Sequence, residues 1–452
     1  MMFLKKAVSL FFCILLLLTC ALPVFANNSD VVSLVPPPDT SRAASVYVYH
    51  INSETVMLDK NTETVRFPAS TVKIMSGYLA CKLADGQLDR QITVTSQMLD
   101  GIDGRVMGLE AGEIVTIKDM LYAGICAGYN DAIAVLAHSL FGSTEALVEK
   151  MNEQAALLEA SQTIYTNPTG LHDDAMVTTA ADTAKIALAA AKNSLYMEIS
   201  SAVKYVMPPT NRSPERTLHN RNSLISTYYG IGYFNAACRG MNAGSTDEGG
   251  WCTVTVAERD GDRYLCLVMG ADDDMVTQDD GSESYVVYSY KYANELVNWA
   301  CNGFATRQVL QKGQPTITIP VENTGHFGME IDVCAKDALT VYLPRAASDA
   351  DLDVRCHLNQ TSLDAPVSAG QVVGVISVYY QDTLLGSVDA VILEDHARNP
   401  IMHGISLLSD YVTSRAFIAT VICAILLLGG YFLYVYSGLS LRPRRGKYTR
   451  RR

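Results

Sequence analysis

The sequence predicts a layered α/β (α+β) domain, then a small all-β domain, then one transmembrane helix. Three observations lead there. Alternating strand patterns stand at both ends of residues 44–305, with helical stretches between them, so a sheet must be assembled from distant segments and covered by helices. Residues 306–393 carry only short alternating runs, such as Thr316–Pro320 and Gln371–Tyr379, the pattern of half-buried strands. Ala416 to Leu441 holds no charged residue and is long enough to cross a bilayer.

The elements follow in order. Lys5 and Lys6 precede the apolar run Ala7–Leu18, and Ala21-Leu22-Pro23-Val24-Phe25-Ala26 ends it. This is a secretory leader, residues 1–26, with an apolar core too short for a comfortable span. Residues 27–43 are polar and contain Pro36-Pro37-Pro38, which reads as a spacer. Ser45–His50 alternates as a strand, Asn52–Thr55 is turn chemistry, and Val56–Leu58 returns as a second strand. A helix bearing Ser70 comes next. Helical stretches are predicted at 118–140, 144–158 and 179–195, with a turn at Asn167-Pro168-Thr169-Gly170-Leu171. Trp251–Ala257, a turn at Asp260-Gly261-Asp262 and Tyr264–Met269 form a hairpin, and Tyr285–Phe304 a final long helix. Residues 394–415 read as a linker, 416–438 as the span and 439–452 as a basic tail.

The tail holds Arg442, Arg444, Arg445, Lys447, Arg450, Arg451 and Arg452, which the positive-inside tendency places in the cytoplasm. The expectation is a single-pass protein of the cell membrane with its bulk outside the cytoplasm. Removing the two lysines of the leader and these seven cations from 35 basic residues leaves 26 against 47 acidic ones, a balance of −21. Such a surface excludes nucleic acid as the expected partner. Outside leader and span the cysteines are Cys81, Cys126, Cys238, Cys252, Cys266, Cys301, Cys334 and Cys356. Their spacing forms no zinc motif. Free buried thiols are expected, with Cys334–Cys356 as a candidate bridge. Asp272–Glu283 is acidic but lacks the spacing of a calcium loop, so it reads as a solvated face. No metal or organic cofactor is expected.

The chemistry begins at Phe67-Pro68-Ala69-Ser70-Thr71-Val72-Lys73. A hydroxyl and an amine three residues apart share one helix face. A lysine whose ammonium is disfavoured can take the proton of that serine and make it a nucleophile. By itself the spacing also fits a helix cap with a solvated lysine.

Further residues narrow the choice. Met107-Gly108-Leu109-Glu110-Ala111-Gly112-Glu113 runs on to Asn130-Asp131-Ala132, and Asn167–Leu171 has the form Asn-x-x-Gly-Leu. Over residues 44–393 the chain resembles the low-molecular-mass penicillin-binding proteins, the serine D-alanyl-D-alanine carboxypeptidases. The resemblance implies a penicillin-binding/β-lactamase-like catalytic domain. It implies Ser70 as the acylated nucleophile, Lys73 as its general base and Asn130 as a holder of the substrate amide and of the Lys73 ammonium. It also implies peptidoglycan stem peptides as substrate and β-lactams as covalent ligands.

Enzymes of this kind use S-x-x-K, S-x-N and K-T-G, and this chain departs from the last two. The second motif aligns at Gly128-Tyr129-Asn130, losing its serine. The third aligns at Asn242-Ala243-Gly244, losing its lysine and threonine. Gly244, Ser245, Thr246 and Asn242 remain the expected substrate-binding strand, with an oxyanion hole from the backbone N–H groups of Ser70 and Ser245. The family's carboxylate-binding arginine at the start of the last helix is not evident near Gly281-Ser282-Glu283-Ser284. Losing a cation is expected to raise the Lys73 pKa toward about 10.4. The leading expectation is a membrane-anchored carboxypeptidase acting through Ser70. Its rivals are a non-catalytic wall-binding or scaffolding protein on the same fold, and a Ser70 hydrolase of altered specificity. Ser70, Lys73 and Asn130 should in any case converge in one cleft bordered by Asn242–Ser245.

Overall fold

The computed structural model describes residues 28–277 and 283–440. The expected leader and most of the basic tail lie outside them. A short helix α1 (Asn28–Val32) opens the described chain. Strands β1 (Ala43–His50), β2 (Thr55–Lys60), β3 (Cys238–Thr246), β4 (Gly250–Arg259) and β5 (Asp262–Ala271) form one antiparallel sheet in the order β2-β1-β5-β4-β3. The two sequence ends of the domain therefore pair directly, Val46 opposite Val268 and Val48 opposite Cys266.

Both faces of this sheet are covered. Along β5, Leu265, Leu267 and Met269 join the core under the helices, whereas Tyr264, Cys266 and Val268 join a second core on the other face. That split follows the two-residue period of a strand. The first face carries α2 (Val72–Ala84), α3 (Asn130–Leu136), α4 (Thr144–Leu157) and α5 (Ala180–Ala190). The second carries α6 (Tyr288–Gly303), through Tyr290, Ala293, Leu296 and Val297.

Two predicted helices need correction. The stretch 118–140 is broken, because Gly128 takes φ +76 and Tyr129 is extended, so a fresh helix starts at Asn130. Wide turns at Tyr122–Cys126 and Ala137–Phe141 further interrupt it. The final helix begins at Tyr288 rather than Tyr285, because Glu283–Val287 pairs with Asp273–Thr277 as a two-stranded ribbon.

The second domain is all β: β6 (Phe304–Leu310), β7 (Pro315–Glu322), β8 (Glu330–Ala335), β9 (Leu339–Pro344), β10 (Leu352–Leu358), β11 (Leu363–Asp364), β12 (Val372–Tyr380) and β13 (Thr383–Val391). Six of them form a sheet in the order β10-β12-β13-β8-β7-β11, and β6 pairs with β9. The candidate bridge between Cys334 on β8 and Cys356 on β10 is not formed. Both are free thiols.

The remaining segments carry structure of their own. Within the expected spacer, Val31 is fully buried in the β-domain core and Val32 in the outer core of the first domain. The expected linker 394–415 contains α7 (Pro400–Thr413), capped by Asn399. α7 exposes Ile401, Ile405, Leu408 and Val412, a stripe at helical spacing. The last helix α8 (Arg415–Ser440) has no buried residue over Arg415–Ser437 and is apolar and long enough to cross a membrane.

Candidate active site

Ser70 lies in a single tight turn, Ala69–Thr71, that leads directly into α2. Ala69 adopts φ +48, a conformation that costs a non-glycine residue about 1–3 kcal/mol. The neighbouring loop holds it there. Gly170, at φ +82, comes so close that a Cβ on it would stand 2.1 Å from the Ala69 carbonyl oxygen. Asn167 shapes that loop by accepting from the Thr169 and Gly170 amides at 3.1 and 2.9 Å and donating to the Leu171 carbonyl at 2.9 Å.

The same loop positions the base. Lys73 is 2 % exposed. Its Nζ donates to the Thr169 carbonyl at 2.6 Å and stands 3.4 Å from Ser70 Oγ. Burial, with the Arg105 charge adding to it, pulls the Lys73 pKa down to about 7. The rise expected from the lost lysine of the third motif is thus overturned. Desolvation penalises the ammonium, and a different cation supplies the like charge.

Strand β3 closes the other side. It is the end strand of its sheet, so one edge keeps unpaired backbone groups for an incoming extended peptide. Gly244 is required by proximity, since a Cβ there would lie 2.7 Å from Ser70 Cβ and 2.8 Å from its Oγ. Ser245 opposes Trp251 in the register of the sheet. A cleft of about 190 Å³ is lined by Ser70, Lys73, Asn130 and the run Asn242–Thr246, so all seven residues singled out from the sequence meet in one place.

Asn130 is tied to a neighbouring loop rather than to Lys73. Its Nδ2 donates to the Asp103 carbonyl at 2.8 Å, and no hydrogen bond joins it to Lys73 among the described residues. Its buried Oδ1 lacks a partner, as does that of Asn242. Two residues lining the cleft therefore carry buried, unsatisfied acceptors, an arrangement that favours a donor-bearing ligand.

Two arginines escaped the sequence reading. Arg105 and Arg221 line the same cleft, beside Gly128. Arg105 follows directly on Gly104 and precedes the Met107-Gly108-Leu109 run, and Arg221 stands in His219-Asn220-Arg221-Asn222. Neither setting marks a site by spacing. Only the fold brings them to Ser70.

Comparison with known proteins gives the family and the fold. The model of the D-alanyl-D-alanine carboxypeptidase family matches residues 32–273, and that of the C-terminal domain of penicillin-binding protein 5 matches residues 304–398. The chain is 24% identical over 356 residues to D-alanyl-D-alanine carboxypeptidase DacF of Bacillus subtilis, covering 78% of this chain and 85% of that protein. To DacD of Escherichia coli it is 24% identical over 419 residues, covering 89% and 99%. Among solved structures, penicillin binding protein 5 from Haemophilus influenzae aligns with a TM-score of 0.54 at 22% identity, over 80% of this chain and 100% of that one. D-alanyl-D-alanine carboxypeptidase DacD from Francisella tularensis aligns with a TM-score of 0.57 at 20% identity, over 80% and 95%.

Proposed function

Because the chain belongs to the D-alanyl-D-alanine carboxypeptidase family, we propose that it trims peptidoglycan stem peptides through an acyl-enzyme on Ser70. The observation that carries this reading is the buried, neutral-leaning Lys73 amine beside Ser70 Oγ. Neutral Lys73 takes the hydroxyl proton as the serine oxygen attacks the carbonyl between the two D-alanines. The tetrahedral oxyanion sits against the backbone N–H groups of Ser70 and Ser245. Collapse breaks the peptide bond, and the leaving D-alanine amine takes the proton back from Lys73. Water then hydrolyses the ester, with Lys73 again as base. Asn130 Oδ1 accepts from the substrate amide. None of these steps uses the side chains lost at positions 128, 242 and 243.

The remaining assignments belong to the same reading. Residues 1–26 are a leader, 44–305 the catalytic domain and 306–393 a β domain that holds it away from the membrane. α8 anchors the chain, α7 lies along the bilayer surface on its apolar stripe, and the basic tail is cytoplasmic. β-lactams, which acylate such serines, are covalent ligands.

A second reading, a non-catalytic wall-binding protein, is favoured by the concerted replacements Gly128, Asn242 and Ala243. Intact-protein mass spectrometry after exposure to benzylpenicillin separates the two. The enzymatic reading expects a one-penicillin adduct that Ser70→Ala abolishes. An unmodified wild-type mass favours the second.

A further inference from the structure

The lost third-motif lysine raises the question of what meets the substrate's anionic end. The lining of the cleft contains Lys73, Arg105 and Arg221 and no Asp or Glu. This is unusual for so acidic a chain. Arg105 and Arg221 have no ion pair among the described residues, as is also true of Arg66, Arg90, Arg212, Arg239 and Arg263, but of these only Arg105 and Arg221 line the cleft.

Their placement is built rather than incidental. Arg105 Nε–H donates to the Ala127 carbonyl at 3.0 Å and Nη2 to the Tyr229 hydroxyl at 2.7 Å. Its guanidinium carbon stands 4.7 Å over the Tyr129 ring. It thus lies along residues 127–129 and is fixed on both sides of Gly128. Arg221 approaches from the other direction. A Cβ added at Gly128 would stand 3.7 Å from Arg221 Cβ, and its guanidinium carbon lies 5.2 Å from the centroid of Tyr229, the ring Arg105 meets at 5.8 Å. Two guanidinium groups share one aromatic ring beside Gly128, where the family's serine hydroxyl is missing. Hydrogen bonds to Ala127 and Tyr229 use only two of the five N–H donors of Arg105. The free donors of two forks, in a cleft without acids, match a carboxylate.

We propose that Arg105 and Arg221 form a carboxylate clamp across Gly128 that replaces the lost lysine of the third motif and selects peptides with a free C-terminal carboxylate. The clamp rests on the carboxypeptidase reading for the identity of its ligand. Arg105 is the residue that gives the clamp its rigidity. The unpartnered Oδ1 atoms of Asn130 and Asn242 then accept from the amide groups of the same peptide, so donors and acceptors of the cleft are both used.

The test needs no turnover. The full chain in detergent, carrying Ser70→Ala, is titrated calorimetrically with N-acetyl-D-alanyl-D-alanine and with its C-terminal amide. The acid is expected to bind at least about tenfold more tightly, the scale of one charge-assisted hydrogen-bond pair. Adding Arg105→Gln should remove most of that preference, and Arg105→Lys should keep part of it. Asn242→Lys placed on Arg105→Gln should restore preference for the acid. Thermal unfolding of each variant checks that it is folded. Should Arg105→Gln fail to fold, Arg221→Gln serves in its place. Equal binding of acid and amide, binding of neither, or a preference untouched by both arginine changes overturns the clamp. Acid preference in a wild type that releases no D-alanine would leave the clamp standing and sink the carboxypeptidase reading instead.

Discussion

Lys73 carries the chemistry and its cost. An ammonium moved out of water is penalised heavily, and here burial comes first and the Arg105 charge second in depressing its pKa to about 7. Its neutral form, the form a general base requires, is therefore populated near neutrality, and acylation should rise with pH through about 7. Arg105→Gln removes the like charge and should move that ascending limb to higher pH. Acylation measured on an uncharged thioester substrate checks this without involving carboxylate binding. It should fall several-fold at pH 7 and converge with wild type at high pH, since a tenfold change corresponds to one pKa unit. A limb that stays in place would mean that burial acts alone. The same depressed pKa has a stability consequence. An unfolded lysine binds its proton up to about 10.4, so between about 7 and that value the unfolded state binds more protons. Stability contributed by this site therefore rises with pH across the window and falls as the solution is acidified through it.

At the scale of elements, the catalytic arrangement depends on segments that brace others. The five-residue α1 is the smallest. Its two valines enter two different hydrophobic cores, and Trp299 Nε1–H of α6 donates to the Val35 carbonyl just beyond it at 3.1 Å. Val31→Ala should cost about 1–3 kcal/mol, the usual range for deleting buried methyl groups, read as a lowered denaturation midpoint of the β domain. An unchanged midpoint would show that α1 is merely attached. This brace was not legible in the sequence, because Val31 and Val32 are two apolar residues in a polar, proline-bearing stretch and their partners lie far along the chain. Strands such as Ser45–His50, Tyr264–Met269 and Gln371–Tyr379 were legible, since alternation follows the backbone period, whereas the ribbon of Asp273–Thr277 and Glu283–Val287 was not. The break at Gly128 was not. Helical periodicity continues on both sides of it, and only the left-handed glycine reveals that Asn130 starts a new helix.

For the whole molecule, the junction between the domains is the feature with the clearest response to conditions. His50 of β1 is fully buried, stacked 4.2 Å from Tyr342 of the β domain and 4.9 Å from Tyr264. Its Nδ1 meets Ser53 Oγ at 2.6 Å and its Nε2 meets Asp262 at 3.2 Å, while Asp262 also accepts from the Thr306 amide and hydroxyl. Burial lowers the His50 pKa, with Asp262 opposing it. A histidine lowered on folding contributes fully above its unfolded value of about 6.5 and loses that contribution as pH falls below it. Denaturation midpoints should therefore drop between pH 7.5 and pH 5, and less so in His50→Gln. An equal drop in both would exonerate the junction. Ser70 and Lys73 were readable because chemistry fixes their types and spacing, and Asn242–Thr246 through the resemblance to the family's third motif. Arg105 and Arg221 were not, because it takes the assembled sheet and helices to bring residues so far apart in the chain to one cleft. The most direct test of the account is release of D-alanine from an N-acyl-D-alanyl-D-alanine peptide by the purified full chain in detergent at pH 8, beside Ser70→Ala. Release that depends on Ser70 is the expected result, whereas no release, or release that survives Ser70→Ala, would contradict it.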